Sequence, residues 1–424
     1  MSDPFLQHLS ELFEQQCQQL PSFPVNPAHT MRQAAFESAM RLGMPNRRHE
    51  LWKHTPLLQL FRPRYQLLET PHTALPQKAL NLGLTFTIVF HNGRFMPHLT
   101  GPPPAGVTLY WLNDLSVLPI AKVERFYHTQ ARHLSFFKAL NHAFGQDGLI
   151  IEIEGHIAPW LSIVHQFETS SNALPKLSQS AIQVVLAPNA KATLVEQLDA
   201  PDTGNMWLNS QSKISLGAQA QCTYYRVENL KQFCLTHELD GHLGHQAQFN
   251  YFLFSSGGAL ARHDLVQHLT QPEAKVQLQA LLMPQAKRHV EWHSEVIHQA
   301  MHTTSCQQLK AVVAEYATAS IRGKIQVNHG ADASQAAFNN HNILLAPSAK
   351  VSTLPQLEIY ADDVQCTHGA TVGQLQEAAL FYLQSRGLSL KAAQKLLLLA
   401  FIHDLLADIP LALRHHYIDH QLSD

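Results

Sequence analysis

Around residue 149 the chain begins to alternate: Ile151, Ile153 and Ile157 are apolar, while Glu152, Glu154 and His156 are polar. A period of two is that of a strand with one face buried. Similar short segments recur at residues 182–186, 192–198, 213–216, 221–227, 249–254, 276–282, 324–327 and 357–360. No long helical pattern interrupts them, so the middle of the chain reads as all-β over about two hundred residues.

The two ends carry a different period. Leu6, Leu9, Leu12 and Phe13 recur about every helical turn and predict a helix over residues 6–20, stopped by Pro21, Pro24 and Pro27. Residues 31–42 predict a second amphipathic helix, ended by Gly43 and Pro45. A proline-containing, loop-rich stretch follows to about residue 120, then a helix over 134–144 that Gly145 and Gly148 terminate. Beyond Gly373 residues 374–383 predict a helix with Arg386-Gly387 as its stop. Ser389 caps another that runs to about Leu406, with Ala392, Leu396, Leu399, Ala400 and Ile402 on its apolar side. Pro410 breaks it, and a short last helix is expected over 411–417. Three regions result: 1–148 helical and mixed, 149–373 β, and 374–424 helical. The tail is more apolar than one packed face requires, which predicts docking either on the chain's own β region or on a partner.

A weak repeat runs through the β region. Ala, then Lys or Gln, then an apolar residue occurs at Ala190, Ala218, Ala247, Ala274 and Ala349, in steps of 28, 29, 27 and then 75 residues. Steps of this order fit the stacked coils of a β-solenoid. A sandwich or several small sheets remain the alternatives from spacing alone.

With 424 residues, 45% of them hydrophobic, the chain can bury a large core. Charged residues are 15% and the net charge is −2, so no broad basic field exists to hold a phosphate backbone; only a local patch is left open. The first residues carry Asp3 and Glu11 without a long apolar run, unlike a signal peptide. The most apolar stretch, 396–402, is too short to span a bilayer. A soluble, cytoplasmic protein is expected.

Five scattered cysteines without a CxxC pair are neither a disulfide framework nor a local zinc site. Cys17, Cys222, Cys234 and Cys306 read as small buried hydrophobes. The 28 histidines read mostly as surface residues, as with His415, His416 and His420. There is no G-x-x-x-x-G-K-[ST], so no ATP site is expected in this chain, and neither G-x-S-x-G nor H-E-x-x-H occurs.

The candidate chemistry lies in residues 357–373, LEIYADDVQCTHGATVG. Alternation puts Asp362, Val364, Cys366 and His368 on one face. Cys366 and His368 are then roughly 7 Å apart along a strand. A thiolate and an imidazole at that spacing can share a soft metal ion or the edge of a cluster. Two ligands do not make a stable site, so a second chain completes it or binding is transient; the bland alternative is a half-buried cysteine beside a hydrogen-bonded histidine. His289, His293, His298 and His302 follow spacings of four, five and four, which on a helix would pair as ligands. In strands they read as solvent-facing.

A family resemblance enters on longer strings. GKIQV at 323–327, ADASQ at 331–335, NILLAPSA at 342–349, PQLEIYADDVQCTHGATVG at 355–373 and LFYLQSRGLS at 380–389 resemble the core domain of the SufB/SufD family of iron–sulfur cluster assembly scaffold proteins. Weaker matches are RVENL at 226–230, GGALARHD at 257–264, ALNHAFGQDGL at 139–149, RRHELWKHT at 47–55 and HNGRF at 91–95. Short length, few cysteines and Gly369 after the Cys-x-His place the resemblance on the SufD-like side of the family.

The resemblance implies a mainly β fold: a right-handed parallel β-helix core flanked by N-terminal and C-terminal α-helical parts. It implies a non-enzymatic scaffold working with a SufB-like subunit and two copies of a SufC-like ATPase docked on the C-terminal helices. It also implies a role in iron acquisition and a transient iron–sulfur cluster at the subunit interface. Carried over by position, His368 matches the family histidine at that interface and Cys366 the neighbouring cysteine. Two other classes stay open: a homodimeric β-helix protein without chemistry, and a β-helix enzyme acting on polysaccharide, for which adjacent Asp362 and Asp363 point apart and make a poor acid pair.

Overall fold

The computed structural model describes residues 3–19, 27–67, 85–112, 118–128, 134–145, 147–167, 174–201, 205–407 and 409–415. The alternating segments become rungs of a parallel β-solenoid of about 7 turns, with helices before and after it in the chain. Strands β1 (Gln66–Leu67), β2 (Thr85–His91), β3 (Arg94–Phe95) and β4 (Val107–Trp111) precede it in the chain. The continuous run is β5 (Gly148–Ile153), β6 (Trp160–Gln166), β7 (Lys176–Leu186), β8 (Lys191–Asp199), β9 (Met206–Leu216), β10 (Gln221–Asn229), β11 (Cys234–Leu243), β12 (Gln248–Ser255), β13 (Leu260–Leu269), β14 (Lys275–Leu282), β15 (His289–His298), β16 (Thr304–Val313), β17 (Thr318–Val327), β18 (Gln335–Leu344), β19 (Lys350–Ile359) and β20 (Gln365–Gly373). From β5 onward odd strands stack in one sheet, β19-β17-β15-β13-β11-β9-β7-β5, which β4 extends and β1 joins at β7; even strands stack in the other, β20-β18-β16-β14-β12-β10-β8-β6-β2, which β3 extends. The helices are α1 (Pro4–Gln19), α2 (Pro27–Leu42), α3 (Leu58–Phe61), α4 (Ile120–Tyr127), α5 (Phe136–Phe144), α6 (Glu377–Ser385), α7 (Leu390–Leu406) and α8 (Leu411–Leu413).

The repeat has a physical basis at one corner. Two residues before each of β8, β10, β12, β14, β16 and β18 a residue sits at positive φ: Asn189, Gln219, Gln246, Glu273, His302 and Ala333. None is glycine, and the left-handed region costs such residues about 1 kcal/mol. Each is held by a main-chain bond to the next coil, as from Asn189 N to Ala218 O (2.8 Å) and Gln219 N to His245 O (2.7 Å). The residue that follows turns into the lumen and is small and buried: Ala190, Ala220, Ala247, Ala274, Thr303 and Ser334. The structural repeat at the second coil is therefore Ala220-Gln221-Cys222, two residues past the Ala218 triplet, because Gln221 is the partner of both Lys191 and Gln248. Ala349 belongs to the other sheet, where Lys350 pairs with Thr318, so the step of 75 does not count three coils.

Apolar side chains of both sheets fill the lumen, among them Ile151, Leu194, Leu239, Phe249, Leu278, Trp292 and Phe338. On the outside of the odd sheet, α1 and α5 bury Leu9, Phe13, Phe137 and Phe144 against Trp207, Cys234 and Leu260. The helix α2 starts at Pro27, which was expected as a stop; proline fits the first helical turn because its missing N–H has no partner there. Its end is as read: Gly43 lies at φ +69° and its N–H bonds Ala39 O. Residues 85–111 depart from the loop reading, since β2 and β4 join the sheets. Pro21, Pro24, His416, Tyr417 and His420 lie outside the described residues.

Candidate functional site

The solenoid ends on β19 and β20, each paired on one side only. In a parallel ladder, partners in register project to the same face. Cys366 and His368 pair with Ala336 and Phe338, both buried in the lumen core. The two side chains thus continue the inward-facing row of the preceding rung, but among the described residues no rung covers them. Cys366 is half-buried against the core, and burial pushes its thiol pKa up. His368 is exposed. Asp362 and Val364 do not share their strand: they lie in the turn between β19 and β20, with Asp362 exposed and Val364 packed on the core.

The same end shows apolar groups to solvent. Leu354, Ile359, Tyr360 and Val372 are all exposed, and Val351 and Leu357 are only partly covered. A solenoid end is normally closed by a polar cap. Here two strand edges with unpaired backbone groups border an apolar surface, an arrangement that pairs readily with another chain. Chemically, the end offers one thiol and one imidazole to a ligand whose remaining donors come from elsewhere.

Next to it stand the C-terminal helices. The helix α7 docks on its own chain: Leu398, Ile402, Leu405 and Leu406, with Ile409 and Leu413 beyond it, cover Tyr225, Phe252, Phe254 and Leu281 on the outside of the even sheet. Lys310 pairs with Asp404 and donates to Phe401 O. Ser389 caps α7 as expected, its Oγ accepting from Ala392 N at 3.2 Å. Of the expected apolar side, Ile402 is buried, whereas Leu396 is exposed. No residue of α6 is buried, and Phe381 is 73% exposed.

Several family-like strings are staples. Arg262 of GGALARHD donates to both oxygens of Asp264 (2.7 and 2.8 Å), to Glu291 Oε2 (2.6 Å), and to Thr55 Oγ1 and Leu51 O (each 3.0 Å). Its guanidinium lies 3.5 Å from the Trp52 ring centroid. It therefore fastens the Trp52–Thr55 stretch of RRHELWKHT to the odd sheet. Arg226 of RVENL points into the lumen, where it bonds Glu196 and Glu228. Burial alone would raise the Glu196 carboxyl; Arg226 and His165 hold it well below the usual range. Asn141 of ALNHAF donates to Ser180 O and Asn209 O, seating α5.

The histidine reading is corrected here. His289 and His298 are buried and His293 half-buried; only His302 is exposed. His289 bonds Glu291 at 2.7 Å, and His298 bonds Thr303 Oγ1 (2.7 Å) and Ser305 Oγ (2.9 Å). They serve as polar packing that strand alternation alone could not place. Among the cysteines, Cys222 and Cys234 are buried and Cys17 and Cys306 half-buried, and all five are free thiols.

Against known proteins, residues 167–401 match the SufBD core domain of SUF system iron–sulfur cluster assembly, and residues 5–158 match the SufBD protein N-terminal region. The chain is 28% identical over 378 residues to the iron–sulfur cluster assembly protein SufD of Escherichia coli, covering 88% of this chain and 87% of that one. It is 28% identical over 401 residues to an iron–sulfur cluster assembly SufBD family protein of Synechocystis, covering 90% and 87%. It is also 25% identical over 428 residues to a chloroplastic protein of Arabidopsis thaliana, covering 96% and 88%.

Proposed function

The chain belongs to the SufBD family of iron–sulfur cluster assembly proteins, and from that premise we propose that it is a SufD-like scaffold subunit whose open solenoid end forms one half of a cluster-assembly site. The observation that carries this reading is the exposure of His368 and the half-exposure of Cys366 on a terminal rung with unpaired edges. A SufB-like chain pairs with β19 and β20 and supplies the donors that this end lacks. His368 ligates or orients incoming iron through a neutral imidazole nitrogen, and Cys366 stands beside it. Iron and the nascent cluster are cargo that passes through the interface, which is how this chain takes part in iron acquisition.

The exposed α6 and the outer face of α7 suit a SufC-like ATPase. Because α7 is packed on the even sheet, a pull on these helices transmits to the strands, and hydrolysis in the ATPase can open the scaffold interface by favouring one arrangement over the other. The scaffold itself then needs no catalytic group. Five free thiols suit a reducing compartment such as the cytoplasm, and no helix among the described residues is long and apolar enough to cross a membrane.

Hydrogen exchange tests the reading. Adding the SufB-like chain should protect the amides of β19 and β20 while leaving the opposite end of the solenoid unchanged. Protection confined to any other surface would overturn it.

A further inference from the structure

On the outside of the odd sheet, away from the open end, three metal-competent side chains converge. Asp240 and His242 lie two residues apart on β11 and so share its outer face, while Leu239 and Leu243 turn into the lumen. His268 is the in-register partner of His242 on β13. Asp240 Oδ1 lies 3.3 Å from His242 Nε2 and 3.6 Å from His268 Nε2, and all three donor atoms are within 4.8 Å of one another. Two ligands each about 2.1 Å from a tetrahedral ion stand about 3.4 Å apart, so the carboxylate already sits at a ligand's distance from both imidazoles. Above the trio, a cleft of about 640 Å³ lies between the sheet and α4, which lines it with Glu124 and Arg125.

We propose that Asp240, His242 and His268 form a binding site for a divalent first-row transition metal ion, with its open coordination positions facing this cleft. Two imidazoles and one carboxylate suit such ions and leave room for water or a further ligand. Two lysines stand near Asp240. Lys138 faces the other oxygen of Asp240 at 3.8 Å and is shared with Glu238 at 3.6 Å. Lys213 donates to the main-chain oxygens of Arg125 and His128.

One adjustment is required. The rings of His242 and His268 are stacked, with centroids 4.6 Å apart and planes 8° apart, so their lone pairs do not yet meet at one point. His268 is nearly fully buried, whereas the His242 side chain is 32% exposed and borders the cleft, so His242 is the ring with room to swing. The site is separate from the open end, since β13 lies three strands in from β19, about 14 Å along the ladder.

Cobalt(II) is the probe, titrated anaerobically into the full chain by calorimetry with visible absorption, and soaked into crystals for anomalous scattering. The wild type should take up Co²⁺ at one saturable outer-face site, with an anomalous peak among these three residues and a rise in melting temperature. Asp240→Asn and His242→Ala should weaken that binding about 100-fold or more and abolish the melting shift. The double variant Cys366→Ser/His368→Ala should keep the outer-face peak. If Asp240→Asn and His242→Ala bind Co²⁺ as the wild type does, or the peak lies elsewhere, the site does not exist. Where a variant melts lower without metal, the anomalous map of the wild type alone decides.

Discussion

His368 is the in-register strand partner of Phe338, yet Phe338 is 1% exposed and His368 is open to solvent. The two side chains face the same way from neighbouring rungs. Only position separates them, because β18 has a rung on both sides and β20 on one. A solenoid cut off at this point places inward-facing residues at a surface, and here the chain puts a histidine and a cysteine there instead of a cap.

The last covered rung should be sensitive to volume. A methyl group added at Gly323 would fall 1.9 Å from a ring carbon of Phe338, far inside contact distance. Gly323→Ala should cost about 1–3 kcal/mol by overpacking. Phe338→Ala should cost about 3–5 kcal/mol through the cavity it leaves. Urea midpoints measure both, and values within about 0.5 kcal/mol of the wild type would contradict the packing described.

Arg262 should be the fastening of the N-terminal segment. Arg262→Ala leaves Glu291 buried without its main cation, a loss of about 3–5 kcal/mol. Arg262→Lys should fail to restore it, since the bidentate bond to Asp264 and the stacking on Trp52 need a planar fork. Limited proteolysis should then cut near residues 47–62 before the solenoid is attacked. Cleavage no faster than in the wild type would remove the staple role.

Stability should decline on mild acidification. The His298 pKa is pushed down to about 4 by burial, from 6.5 in the open chain. Between those values the unfolded chain binds the proton and the folded one does not, so this contribution is full above about pH 6.5 and is lost as pH falls towards 4. Glu196 and Glu228 are held low by Arg226 and their histidine neighbours, so their share is present above about pH 4.5 and fades below it. His142, His237 and His293 are lowered by burial in the same way, so His298→Gln should make the upper part of a pH series of melting temperatures less steep without flattening it, and leave the lower part unchanged. Identical curves would contradict the assignment.

The exposed ring of Phe381 should matter to a partner and not to the fold. Phe381→Asp should shift stability by less than about 0.5 kcal/mol, as surface changes do. The same variant should lose co-purification with the SufC-like ATPase. Retained ATPase at wild-type stoichiometry would move the docking surface elsewhere.

Strands with clean alternation were legible, as at Ile151 and Ile153, because the lumen there is wholly apolar. The strands β11 and β13 were missed for the opposite reason. His237 and His263 are buried among polar partners, which breaks the two-residue pattern. The run Leu396–Leu399 in α7 is apolar all round, so periodicity could not choose the buried face and selected Leu396 over Leu398. Cys366 and His368 were legible as neighbours on a strand, but their position at an open end depends on the count of rungs, which no local pattern carries. The Asp240, His242 and His268 trio was legible only in half: Asp-Gly-His shows two donors on one strand face, while His268 enters through register 26 residues later.

Iron and acid-labile sulfide measured in the anaerobically reconstituted complex with SufB-like and SufC-like partners test the central claim most directly. Replacing His368 with alanine should leave the complex assembled at unchanged stoichiometry while lowering both iron and sulfide well below the wild type. An intact complex carrying the same iron and sulfide as the wild type would contradict the account.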